Sequence, residues 1–223
     1  ILLSVSRARP IAKELHPQLF NVVEEMTIAA GLPKMPKIYI IDDMALNAFA
    51  TGRGPETASV AITAGLLGKL NRDQLQGVIA HEISHVVNRD VKLMTIAGIM
   101  LGSIVMISQI FLRGIFYGGG RSRRYRSSSR GSGGGGGGQA QLVMIVVALV
   151  LAILAPILAN LLYLALSRRR EYLADANAAV LTRYPEGLAG ALEVLSMDTS
   201  PPLAMNKATA PMYISNPLEN RSM

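Results

Sequence analysis

The chain has 223 residues and carries 22 basic against 15 acidic side chains, a formal net charge of +7. That length suits one domain or two small ones, and with no cysteines thiol catalysis, cysteine-ligated zinc and a secreted disulfide scaffold are excluded. Hydrophobic residues make up 50% and charged residues only 17%, below the roughly 25% of soluble domains, so global disorder is excluded and part of the chain is expected in lipid.

Ile1-Leu2-Leu3 precedes Ser4, Arg7 and Arg9, which reads as the end of an apolar segment meeting a basic flank, with its upstream part missing; no signal peptide is recognisable. Residues 17–31 are expected to form a helix, with Leu19, Val22, Val23 and Met26 at spacings of three and four and Gly31 as its stop. Pro33 and Pro36 mark a turn. Strands are expected at 37–41, 46–51 and 59–63, the last two separated by Gly52 and Gly54. Asn71, with Gln74 three residues on, gives a capping-box start to a long helix through Leu75, Val78, Ile79, His81 and His85.

Leu93 to Leu112 and Leu142 to Leu166 contain no charged residue. Each is long enough as a helix to match the apolar core of a bilayer, about 30 Å thick. Gly98 and Gly102 have the spacing that lets membrane helices approach closely, and Pro156 and Asn160 interrupt the second run. The alternative is a buried helical hairpin in a soluble protein. Between the runs lies an Arg/Gly/Ser-rich stretch, with glycines at 118–120 and 133–138, expected to be a flexible linker. The reading divides the chain into 1–92, a candidate transmembrane helix at 93–112, the loop 113–141, a second candidate helix at 142–166, and 167–223. After the basic flank Arg168-Arg169-Arg170, helices are expected from Glu171 to Leu181 and from Pro185 to Ser196, with proline-marked loops from Pro201 onward.

The positive charge is local. Arg113, Arg121, Arg123, Arg124, Arg126 and Arg130 account for nearly all of the excess, and no acid lies among them. A charge run without a reading module argues against nucleic acid as a partner, and anionic lipid headgroups suit it better.

His81-Glu82-Ile83-Ser84-His85 is an H-E-x-x-H sequence. Positions i and i+4 share a helix face, so both imidazoles can hold one zinc ion, with Glu82 placed to act as general base toward water. A further histidine ligand at position 91 is absent, since Asn88 and Val91 stand where glycine and histidine would be needed, and His16 reads as a surface residue. A carboxylate is therefore expected as third ligand. Among the downstream acids Asp90, Glu171, Asp175, Glu186, Glu193, Asp198 and Glu219, only Glu171 and Asp175 form an i, i+4 pair on a convincing helix. Glu171 is expected to ligate and Asp175 to orient a ligating histidine; the alternative is an ordinary charged helix face.

H-E-I-S-H-V-V-N-R-D, an apolar hairpin, and then R-R-E-Y-L-A-D-A-N-A strongly resemble the HtpX-type membrane zinc metalloproteases, relatives of the CAAX prenyl protease. Pro36-Lys37-Ile38-Tyr39-Ile40-Ile41, Asn47-Ala48-Phe49-Ala50-Thr51-Gly52 and Ala208-Thr209-Ala210 also look like that family's pattern. The resemblance implies an α+β, gluzincin-like zinc metallopeptidase domain with an inserted transmembrane helical hairpin. It implies one Zn²⁺ per chain held by His81, His85 and Glu171, with Glu82 as general base, and, by analogy, Asn47, Ala48 and Phe49 on an edge strand that pairs with extended substrate; the alternative for that strand is an internal core strand. Such proteins are integral membrane endopeptidases that degrade misfolded or damaged membrane proteins, and the resemblance places the catalytic part on the cytoplasmic side of a prokaryotic inner or plasma membrane. Two departures are noted: an apolar hairpin usual before the position of Arg7 and a His-Pro segment usual after Asn216-Pro217 are not in this sequence, and both read as truncations. Competing readings are a CAAX-type prenyl-protein endopeptidase, a catalytically silent membrane scaffold, and a transporter with an intramembrane metal site, which fits poorly because the ligands lie outside the apolar runs.

Overall fold

The computed structural model describes residues 2–52, 54–118 and 137–198. Most of the loop expected at 113–141, the proline-marked segment from Pro201 and Ala208-Thr209-Ala210 lie outside these residues. The order of elements is α1 (Leu2–Val5), β1 (Arg9–Pro10), α2 (Pro17–Ala29), β2 (Lys37–Ile41), β3 (Ala48–Thr51), a 3-10 turn at Pro55–Thr57, β4 (Ser59–Thr63), α3 (Ala64–Lys69), α4 (Arg72–Val87), α5 (Asp90–Gly118), α6 (Gly137–Thr182) and α7 (Pro185–Ser196). By compactness the chain falls into two units, one of residues 1–93 with 169–223 and one of residues 94–168.

The first unit is built on a four-stranded sheet in the order β1-β2-β4-β3. β2 and β4 run parallel, while β1 and β3 pair antiparallel with β2 and β4. β4 is buried at every position, as the apolar run Val60-Ala61-Ile62 demands of an inner strand, whereas β2 alternates. The strand expected at 46–51 is shorter: Thr63 N–H still donates to the Asn47 carbonyl as in a ladder, but the Asn47 N–H donates to the Thr63 side-chain Oγ1 in place of a strand carbonyl. Leu19, Val22, Val23 and Met26 of α2 and Leu75, Val78, Ile79 and Ile83 of α4 join Val60 and Ile62 in one core, to which Ala178, Ala191 and Leu195 add α6 and α7. Truncating a wholly buried side chain such as Ile79 to alanine costs about 2–5 kcal/mol.

α4 starts where the sequence places it. The Asn71 side chain accepts from Gln74 N–H, the Gln74 side chain accepts from Asn71 N–H, and this reciprocal cap is worth about 1 kcal/mol. Its far end turns sharply. Arg89 adopts φ 56, a left-handed conformation unusual for a side chain with a Cβ, and α5 begins at the next residue. Against α7, α4 approaches through bare backbone: a Cβ added at Gly77 would lie 2.5 Å from Leu188 N, and one at Gly187 would lie 2.6 Å from the Asp73 carbonyl oxygen.

In the second unit the helices are longer than the charge-free runs. α5 continues through Arg113 to Gly118, and α6 begins at Gly137, so both ends of the segment expected as loop are helical. α6 is one helix of 46 residues with Pro156 inside it; the helix expected from Glu171 is its continuation, because nothing in Ser167-Arg168-Arg169-Arg170 breaks a helix. Among the described residues two helical stretches are long and apolar enough to cross a membrane: Asp90–Arg113, with an 18-residue window of mean hydropathy 2.0, and Leu149–Thr182, with one of 2.5. Their large apolar side chains are exposed, Ile107 and Leu162 by about two thirds each. A soluble core helix would hide such side chains. Gly98 and Gly102 face open space among the described residues, so the close approach expected of their spacing is not formed there.

Candidate metal centre

α4 carries His81, Glu82 and His85, and α6 carries Glu171 and Asp175. The 3.6-residue period puts the two imidazoles one above the other, with ring centroids 4.7 Å apart and planes at 86°. Their Nε2 atoms are 3.1 Å apart, and Glu171 Oε2 stands 3.6 Å from each. One donor atom from each of these three residues lies within 4.8 Å of the others. Ligand atoms on one face of a tetrahedral ion with bonds of 2.0–2.2 Å are separated by about 3.3–3.6 Å. Two imidazole nitrogens and one carboxylate oxygen at this spacing therefore fit a divalent ion of zinc's size and softness.

The other ring nitrogens face carboxylates. His81 Nδ1 lies 2.9 Å from Asp175 Oδ1, at ion-pair distance but out of line for a hydrogen bond. His85 Nδ1 lies 2.6 Å from Asp90 Oδ2 in hydrogen-bonding geometry. The two partners differ in burial, since Asp175 is half exposed and Asp90 is buried. Sequence reasoning passed over Asp90 as one more acid on the chain. Its signal was its place, five residues after His85 and directly after Asn88-Arg89, where the left-handed turn ends α4 and returns the next side chain to the ring.

Glu82 is buried between helix and sheet. Its Oε2 accepts the Ala50 backbone N–H at 2.7 Å. Burial pushes its carboxyl above the ordinary range, against the opposing pull of His81, His85 and the Ala50 N–H, and the Glu171 charge adds to the rise. Burial disfavours the charged form of His81, but Asp175, Glu171 and the Glu82 charge outweigh it and hold its proton up to about 10. For His85 burial likewise opposes charge; Glu171, Glu82 and Asp90 overcome it, and the imidazole is raised despite His81.

Ala50 belongs to β3, the edge strand of the sheet. Asn47 and Thr63 form a hydrogen-bonded pair, so by antiparallel alternation the backbone groups of Ala48 and Ala50 point away from β4. Ala48 and Phe49 are buried, backbone included, and Asn47 Oδ1 is buried without a hydrogen-bond partner among the described residues. A narrow cleft beside this edge is lined by Ala50, Thr51, His85, Val86, Arg89 and Lys92. Arg170 completes the surroundings: its Nη1 donates to the Asp90 carbonyl and its Nη2 to Glu171 Oε1, both at 3.3 Å. In the sequence it reads only as part of a basic flank. His16 stands at the N-cap position of α2 without a side-chain capping bond and is not one of the three donor residues.

Residues 13–215 match Peptidase family M48. A "Protease HtpX homolog" of Dictyoglomus thermophilum is 51% identical over 219 residues, covering 98% of this chain and 67% of that protein. Another protein of that name, from Streptococcus uberis, is 42% identical over 223 residues, covering all of this chain and 72% of the relative. Among solved structures, the crystal structure of S. mikatae Ste24p is similar with a TM-score of 0.56 at 21% identity. That likeness covers 92% of this chain, which spans about half (47%) of the Ste24p chain.

Proposed function

The chain belongs to peptidase family M48 and is a membrane metalloprotease, and from that premise we propose a zinc endopeptidase that cleaves unfolded or damaged membrane proteins. The observation that carries the reading is the convergence of His81 Nε2, His85 Nε2 and Glu171 Oε2 next to a buried glutamate. In this proposal His81, His85 and Glu171 hold one Zn²⁺, Asp175 steadies His81, and residues 93–166 form a hairpin inserted into a gluzincin-like catalytic domain. A bound zinc ion would supply Lewis acidity, lowering the pKa of water and polarising a peptide carbonyl.

The chain's own groups do the rest. The Ala50 N–H holds Glu82 Oε2, leaving Oε1 to take the proton of the attacking water and pass it to the departing amine nitrogen. A carboxyl raised by burial suits both halves of that transfer, because it accepts and releases a proton nearer neutrality. The Ala48 backbone points away from β4 on the edge strand, but Ala48 is wholly buried, so pairing with an extended peptide, with Asn47 and Phe49 at its flanks, would require that cover to open. Recognition through backbone bonds is indifferent to sequence, which suits unfolded chains as substrates. Catalysis is assigned to the cytoplasmic side of a prokaryotic inner or plasma membrane.

The test is zinc content together with cleavage of an unfolded membrane protein by the full chain in detergent, repeated with Glu82→Gln. One zinc per chain in both proteins and hydrolysis only in the wild type is the expected result. Unchanged hydrolysis by Glu82→Gln would overturn the role of Glu82, and a zinc-free active protein would overturn the ligand set. A prenylated C-terminal peptide left uncut in the same assay separates this reading from a prenyl-protein endopeptidase.

A further inference from the structure

His85 and Glu171 are joined by a second path that does not pass through the point where their donor atoms meet. Asp90, the first residue of α5, is 3% exposed and holds its Oδ2 2.6 Å from His85 Nδ1. The backbone carbonyl of the same residue accepts from Arg170 Nη1 at 3.3 Å, and Arg170 Nη2 reaches Glu171 Oε1 at 3.3 Å. Glu171 Oε2 returns to His85 Nε2 at 3.6 Å, which closes the circuit.

Each link has a chemical reason. An imidazole that ligates through Nε2 must carry its proton on Nδ1, and an acceptor at Nδ1 fixes both that tautomer and the ring plane. A carboxylate that ligates through one oxygen is kept from turning if its other oxygen is engaged. The planar guanidinium can hold Glu171 Oε1 and the Asp90 carbonyl at once, whereas a lysine ammonium is a single point charge on a flexible stem. The left-handed Arg89 is the backbone device that turns Asp90 back onto His85, and such conformations persist where the surrounding structure requires them.

We propose that Asp90 and Arg170 are positioning residues of the metal centre. Asp90 sets the tautomer and plane of His85. Arg170 restrains Glu171 to ligation through Oε2 and ties it to the backbone that bears Asp90. The inference rests on the assignment of His81, His85 and Glu171 as ligands. Because Asp90 is buried and in line while Asp175 is half exposed and out of line, Asp90 has the larger effect of the two.

The experiment compares the wild type with Asp90→Asn, Asp90→Ala, Arg170→Lys, Arg170→Gln and Asp175→Asn, each as the full chain in detergent. Zinc affinity is read by competition with a chromophoric chelator, and ligand geometry by the visible spectrum of the Co(II)-substituted protein. The wild type is expected to bind one ion. Asp90→Asn, nearly the same shape as aspartate, should weaken zinc binding by about 10–100-fold and move the Co(II) bands while the far-ultraviolet circular dichroism of the metal-free protein stays unchanged. Asp175→Asn should cost less, and Arg170→Lys should do no better than Arg170→Gln. A wild type that binds neither metal would overturn the ligand assignment itself. A wild type that binds one ion, with Asp90→Asn matching it in affinity and spectrum, would overturn the role of Asp90. Full recovery in Arg170→Lys would overturn the role of the guanidinium fork.

Discussion

Ala50 gives its backbone N–H to Glu82 Oε2 across 2.7 Å, so the edge strand and the glutamate of α4 share one hydrogen bond. Because the amide of Ala50 points away from β4, proline at this position removes the bond to Glu82 without breaking the ladder. A hydrogen bond to a charged group is worth about 1.5–3 kcal/mol, so Ala50→Pro is expected to lower kcat by roughly 10–100-fold. Zinc content should stay at that of the wild type. Steady-state kinetics with metal analysis checks this, and loss of the metal together with the rate would place the effect on folding.

Removing a ligand has a different signature from removing the base. His81→Ala or Glu171→Ala should lose both zinc and hydrolysis, since two donors hold the ion weakly. Glu82→Gln should keep zinc and lose hydrolysis by at least about 100-fold. Elemental analysis beside a peptide-cleavage assay distinguishes the two classes.

Substrate pairing along β3 is tested at Ala48, a buried residue whose amide points away from β4. Ala48→Pro should raise KM by roughly 5–10-fold, the value of one backbone hydrogen bond near 1 kcal/mol, with zinc retained. N-methylating single peptide bonds of the substrate should reproduce the effect at alternate positions only. Equal tolerance of every N-methylation would remove the strand-pairing reading.

Zinc uptake should depend on pH with a definite sign. Ligation needs neutral imidazoles, and in the metal-free protein His81 and His85 keep their protons above the ordinary range, His81 up to about 10. Binding therefore expels protons at neutral pH, and affinity rises as pH rises, by up to about tenfold per pH unit for each proton expelled. Calorimetry in buffers of different ionisation enthalpy measures the release. Affinity that falls from pH 6 to pH 8 would contradict the raised imidazoles.

Membrane orientation can be read with single cysteines, since the chain has none of its own. A Thr182→Cys probe, on the helix that carries Glu171, should label only from the cytoplasm. A Ser128→Cys probe labelled only from outside would support a hairpin that spans. Labelling of Thr182→Cys from outside would overturn the cytoplasmic assignment.

The legible parts of this chain are those that local spacing controls. The capping box at Asn71 and Gln74, the i, i+4 histidines and the apolar runs are each set by residues a few positions apart, and the structure builds the helices accordingly. Glu171 could be singled out because it forms an acid pair with Asp175 on a helix, and the fold brings it to the histidines. Asp90, Arg170 and Ala50 are not singled out by the sequence, each for its own reason. Asp90 depends on a left-handed turn at an arginine, where residue preference would favour glycine or asparagine. Arg170 acts across 80 positions of sequence, and Ala50 acts through its amide, which every residue but proline possesses. The helix expected from Glu171 runs on from the apolar run as part of α6, because a change of hydropathy is not a change of backbone preference.

Gly77 lies one turn before His81, and the backbone of α7 occupies the space where its side chain would project. A contact between two bare backbones has no rotamer to relax, so it acts as a hard stop that sets where α4 comes to rest. A methyl group there must shift one helix against the other by several tenths of an ångström, which is the tolerance within which such a constellation works, about 0.5 Å. The distance between the ring nitrogens and Glu171 is thus gauged partly by a glycine with no chemistry of its own, and α7, which carries none of the three donor residues, is part of the site's dimensional control.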